Sequence, residues 1–155
     1  MAERAYIFIT NVNQSQSVRT VEDLGDKFYG DYTKMVIDVE IKNYGRTPAI
    51  ITENWMKVQY AVKFPEGALE PISLKIIPPN IVIASGKPFI HTSEIKIPNN
   101  EWAAIGRGES QFRCLGQIEY KDIFKKDHKT WFTWYWDHRL RCFKISNFEY
   151  NNGYD

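Results

Sequence analysis

Apolar and polar residues alternate along residues 34–42, with Met35, Ile37, Val39 and Ile41 on one side and mostly charged residues between them. A strand sends successive side chains to opposite faces, so this pattern predicts a strand with one buried face. Residues 56–63 repeat it, with Met56, Val58, Tyr60 and Val62 assigned inward. Residues 4–10 are β-branched and aromatic and predict a first strand. Residues 81–84, 89–97, 111–121, 128–136 and 140–145 predict further strands, about eight in all, separated by turn residues. Helix signals are scarce. Residues 100–106 fit one or two turns, with Asn100 as N-cap and Gly106 just past the end. Val21, Leu24 and Phe28 have helical spacing, but Gly25 and Gly30 interrupt it. Pro65, Pro71, Pro78, Pro79, Pro88 and Pro98 cannot donate into a sheet and mark loops, edges and strand starts. At Asn43 to Ala49, the turn after the clearest strand, Gly45 supplies access to positive φ.

The fold class that follows is all-β: an antiparallel sandwich of about eight strands with one short helical connection. A chain of 155 residues has room for one core, so residues 1–150 are assigned to a single domain and residues 151–155 to a frayed tail. Residues 111–136 carry the most specific information. Pairing Lys121 with His128 across the loop 122–127 places Phe112, Cys114, Ile118 and Tyr120 on a core face with Trp131, Thr133 and Tyr135. The opposite face then presents Arg113 and Lys121 with His128, Phe132, Trp134 and Trp136. These six residues form the predicted binding surface. The flat rings supply contact area, and the cationic and imidazole groups supply polar contacts. The bland alternative is that the rings pack across strands or lie under a tail containing Phe143, Phe148 and Tyr150. A one-residue slip in the pairing would exchange the face assignment of one strand.

The run Gly116, Ile118, Tyr120, Asp122, Phe124 and then His128, Thr130, Phe132 has the form G-x-I-x-Y-x-D-x-F…H-x-T-x-F. Together with N-x-G-x-T-P-A at Asn43 to Ala49 and E-R-A-Y at Glu3 to Tyr6, it resembles a group of uncharacterised bacterial membrane-anchored proteins. These carry N-terminal transmembrane helices and an extracytoplasmic domain similar to an immunoglobulin-like sandwich. The resemblance implies a fold and an extracytoplasmic, periplasmic-side placement through a helix that this chain lacks. If the chain is instead complete, the expectation is cytoplasmic. It implies no activity and no catalytic residue.

Composition narrows the function classes. With 20 basic and 19 acidic residues the formal charge is +1, which disfavours nucleic-acid binding by phosphate neutralisation. No apolar run reaches the ~18 residues of a membrane span. His91, His128 and His138 are the only histidines, and roughly 33 Å of extended strand would separate the last two, so no metal site is predicted. Cys114 and Cys142 are read as two free, buried thiols. No phosphate loop, nucleophile elbow or dinucleotide fingerprint occurs, and no cofactor is predicted. The function expected is therefore a non-catalytic interaction or sensing domain that recognises a protein or small ligand by its surface. A hydrolase or lyase using His128 with Asp127 and Asp122 is the enzymatic rival, and a structural or homo-oligomerisation module is the third reading.

Overall fold

The structure, a computed structural model, describes residues 4–16, 32–62, 71–145 and 153–154. The helical spacing at Val21, Leu24 and Phe28, the turn residue Pro65 and the rings of Phe148 and Tyr150 lie outside the described residues. Strands β1 (Ile7–Gln16), β2 (Tyr32–Asn43) and β6 (Pro88–Pro98) form a three-stranded sheet in the order β1-β2-β6. The second sheet holds β3 (Ala49–Ala61), β4 (Ile72–Ser73), β5 (Val82–Ile83), β7 (Gln111–Lys121), β8 (Asp127–Asp137), β9 (Cys142–Ile145) and β10 (Gly153–Tyr154). Its order is β10-β8-β7-β3-β4, with β5 also on β3 and β9 also on β8. Every ladder between these strands is antiparallel. One short helix, α1 (Asn99–Gly106), joins β6 to β7. The chain is an all-β antiparallel sandwich, as its periodicity predicts, and among the described residues it has a single helical connection.

The inward faces of the two sheets build one core. Met35, Ile37, Val39 and Ile41 of β2 are fully buried against Ile51 and Val58 of β3 and Phe112, Cys114 and Ile118 of β7. Two β-bulges set the phase of this core. On β1 the register shifts between Ile9 and Asn11, so Ile7 and Ile9 point inward and then Val12 does. On β3 it shifts between Ile51 and Glu53, so Ala49 and Ile51 point inward and then Met56, Val58 and Tyr60. A bulge sets two residues against one and so inverts which positions face the core. Val62, assigned inward from the period, lies beyond the end of β3 and is 77% exposed.

Asn43 ties the strands together at one end. Its Oδ1 accepts from the backbone N–H of Tyr6 (3.1 Å) and Gly45 (2.9 Å), and its Nδ2 donates to the carbonyls of Thr47 (2.7 Å) and Ile83 (3.1 Å). All four hydrogen-bonding valences of a fully buried amide are thereby used, which is what its burial requires. Gly45 is needed here for proximity rather than for positive φ. A β-carbon on it would lie 2.0 Å from the Arg4 carbonyl oxygen.

At α1 the cap differs from expectation. Pro98 precedes the helix with no side-chain cap, and Gly106 is its last residue. The left-handed residue that ends the segment is Gly108, at φ 75°.

Candidate functional site

The β7–β8 hairpin pairs Tyr120 with His128, Gly116 with Phe132 and Cys114 with Trp134. Lys121 therefore faces Asp127, one residue away from the predicted register. This slip turns β8 over. Phe132 (3% exposed) and Trp134 (9%) belong to the core, His128 is buried, and Trp136 packs half-buried against the core's edge. Arg113 and Lys121 stay on the outer face. Arg113 donates from Nη2 to Gln59 Oε1 at 2.8 Å, and Lys121 Nζ lies 3.6 Å from Asp127 at the exposed hairpin tip. The six predicted site residues are thus divided between opposite faces and do not share one surface. The outer face instead carries Trp131 and Tyr135 of β8 with Leu115 of β7 and Trp55 of β3.

The acidic and imidazole groups of the enzymatic rival are similarly divided. Asp122 is buried and accepts from His128 Nε2 at 3.0 Å through Oδ2. Its Oδ1 accepts from the backbone N–H of Phe124 (2.8 Å) and Lys126 (3.1 Å). Burial alone would raise its pKa, but the bonds from His128, Lys126 and Phe124 outweigh burial and hold the carboxyl below its ordinary value. His128 stacks on Tyr120 with ring centroids 5.3 Å apart. Asp127 is exposed and turned the other way. This geometry describes a closed loop in which the carboxylate orders backbone N–H groups.

Cys114 is buried, and desolvation pushes its thiol up to about 12. Cys142 is exposed, contrary to the expectation of two buried thiols, because Phe143 takes the inward position on β9. Both are free. Among the described residues no three His, Cys, Asp or Glu side chains could together hold a metal ion.

The feature the sequence did not single out lies at the far end of β8. Residues 137–141 reverse the chain into β9, which returns beside β8. Asp137 organises this turn. Its Oδ1 accepts from the N–H of Arg139 (2.9 Å) and Leu140 (3.0 Å), and its Oδ2 lies 2.8 Å from Lys144 Nζ. The Lys144 ammonium first, and then the Leu140 and Arg139 N–H groups, lower its pKa to about 2. Arg141 follows in the left-handed region at φ 53°, uncommon for a residue with a side chain. His138 packs onto Gly108, where a β-carbon would come within 2.6 Å of its ring.

Between this turn, α1 and the end of β1 lies a cleft of about 440 Å³ lined by Gln14, Trp102, Ala103, Gly106, Trp136, His138 and Arg141. Its aromatic wall is a run of rings in mutual contact. Trp102 and Trp136 meet with centroids 5.7 Å apart, Trp136 meets Phe143 edge-on at 5.3 Å, and Phe143 meets Phe112 at 5.2 Å. A second, open depression of about 390 Å³ lies across the same turn, lined by Tyr135, Trp136, Asp137, His138, Arg139 and Lys144. Of the predicted site residues, only Trp136 reaches either depression.

No protein-family model matches the chain, and no curated protein matches it. The fold is similar to that of a Bordetella pertussis protein described as ApaA, with TM-score 0.52, 12% identity, and coverage of 84% of this chain and 94% of that one. A protein from Archaeoglobus fulgidus gives TM-score 0.42, 11% identity, and coverage of 91% and 99%. The first likeness shows a shared all-β fold and nothing about activity. Among the described residues no helix is long and apolar enough to cross a membrane.

Proposed function

We propose that the protein is a non-catalytic recognition domain that binds a small ligand in the cleft between α1 and the 137–141 turn. The observation that carries this reading is the composition of that cleft. Two half-buried indoles, braced by buried Phe112 and Phe143, stand beside polar groups on a turn held in shape by Asp137. Its volume of about 440 Å³ lies within the range of small-molecule sites, which join apolar walls to a few fixed polar groups. Asp122 and His128, the pair of the enzymatic rival, are buried and bonded to one another, which favours binding at the cleft over catalysis at that pair.

Nitrogen–proton correlation spectra test the reading directly, because each of the five tryptophans gives its own indole N–H resonance. A screen of ring-bearing small molecules is expected to yield compounds that shift the Trp102 and Trp136 resonances and lose that effect in Trp102→Ala. A screen that yields none overturns the reading.

The outer face of the larger sheet supports a second reading, association with another protein. Trp55 (44% exposed) lies in one row with Gln117 and Trp131, and Arg113 pairs with Tyr135 two rows away. Sedimentation velocity on wild type and Trp55→Glu, alone and with candidate partners, tests it. Extracytoplasmic placement beside a bacterial membrane belongs to the same proposal and rests on the resemblance of the short motifs. Fractionation of cells expressing the full reading frame would test that part.

A further inference from the structure

Resting on the cleft as a binding site, we infer that its ligand is a small anion carrying a flat ring, seated on Trp102 and Trp136 with its carboxylate or phosphate toward Arg141. Three observations on the lining carry this. First, among the described residues no aspartate or glutamate lines the cleft, whereas Arg141 and His138 do. Second, two neighbouring cations are already matched to carboxylates. Arg107 is forked onto Glu109 at 2.8 and 2.7 Å, and Lys144 is bound to Asp137. Arg141 has no carboxylate partner among the described residues, and its guanidinium is always charged. Third, the end of α1 that borders the cleft does not recruit a cation. The carbonyls of Ala103, Ala104 and Ile105 accept from the N–H groups of Arg107, Gly108, Glu109 and Ser110.

The ring follows from the wall. Trp102 and Trp136 meet at an interplanar angle of 50° and form an angled corner of two indoles. Such a corner offers one face and one edge, the geometry aromatic pairs prefer. An acyclic anion would leave that surface uncovered, and a cationic ring would face the like charge of Arg141. Arg141 can meet either a carboxylate or a phosphate with a two-pronged contact. Gln14 adds a neutral donor and acceptor on the β1 side.

The test compares four compounds by the shifts of the Trp102 and Trp136 indole N–H resonances: indole-3-acetate, phenyl phosphate, tryptamine and acetate. Indole-3-acetate or phenyl phosphate, or both, should saturate these shifts, and which of them does so identifies the anion. Acetate and tryptamine should bind at least about tenfold more weakly, and Arg141→Gln should weaken the ring anions about tenfold, the low end of a charged hydrogen bond. Arg141 is exposed on a turn, so this variant is expected to stay folded, and the same spectra verify that. Equal binding of tryptamine and indole-3-acetate, or full affinity in Arg141→Gln, overturns the anion inference and leaves the cleft a ring-binding site. No shift with any of the four overturns both.

Discussion

Gly116 and Phe132 stand opposite one another on β7 and β8, and the ring fills the space a side chain on the glycine would need. A β-carbon at Gly116 would lie 2.9 Å from Phe132 Cε1, 2.7 Å from Met56 Cγ and 2.6 Å from the Trp55 carbonyl oxygen. This pair fixes the hairpin register, and with it which aromatic residues of β8 are inside. Gly116→Ala should cost about 1–3 kcal/mol, the range for overpacking a filled core. Urea unfolding would measure it. A neutral effect would mean that Phe132 is free to move aside.

Phe132→Ala provides the converse test of the register. Removing a buried ring of this size costs about 3–5 kcal/mol, whereas truncating an exposed aromatic costs little. A thermal or urea midpoint close to wild type would return Phe132 to the surface and restore the pairing of Lys121 with His128.

Asp122→Ala should also destabilise, by about 2–3 kcal/mol, because it leaves the Phe124 and Lys126 N–H groups and His128 without their acceptor. Asp122→Asn keeps one carbonyl oxygen for the two N–H groups and should cost less. If both variants unfold at the same urea concentration as wild type, the loop does not depend on this carboxylate.

Stability should fall on acidification in two stages. His91 is buried with Nε2 against the Lys75 carbonyl, and burial lowers its pKa despite that bond. Asp122 is likewise lowered in the folded state. For both groups the unfolded chain binds more protons between the two pKa values. Their contributions are therefore complete above the unfolded values, about 6.5 for His and 3.9 for Asp, and are lost as pH drops through the folded values. Unfolding free energy followed from pH 7 downward should decline first below about 6.5. That first decline should vanish in His91→Gln. A profile flat down to the carboxylate range would contradict it.

The two thiols should differ sharply in reactivity. Cys142 is exposed on β9, while Cys114 is buried with its pKa pushed up to about 12. The thiolate is the reactive species, so a disulfide reagent should modify one thiol per chain under native conditions and two in denaturant. Native modification of both would show that the core opens at Cys114.

The sandwich was legible because β2, the middle strand of the smaller sheet, keeps strict alternation. Met35, Ile37, Val39 and Ile41 are buried as their spacing predicts. The hairpin register was not legible, and the reason is local. The loop between Lys121 and Asp127 contains no glycine or asparagine to mark its left-handed position, which Lys125 occupies at φ 61°. Nothing in the composition shows that Asp122 would close the loop on itself by accepting from Phe124 and Lys126. With only a one-residue ambiguity, every side chain of β8 changed sides, and the predicted recognition surface went with it. The cleft was hidden for another reason. Trp102, Trp136 and Arg141 lie on three separate segments, and only the reversal at Asp137 brings them to one place. That reversal carries a trace in the sequence, an aspartate two and three residues ahead of the N–H groups it accepts.

Thr10 and Thr52 have no opposite number in the pairings of their strands. Each absorbs one surplus residue at a point where the apolar repeat changes phase. A chain shortened by Thr52 alone would carry Met56, Val58 and Tyr60 in step with Ala49 and Ile51 and would need no irregularity there. The two bulges are thus joints at which strand length can change by one residue while both sheets keep their apolar sides together. The same deletion a few positions later, within residues 56–60, would turn half a strand outward.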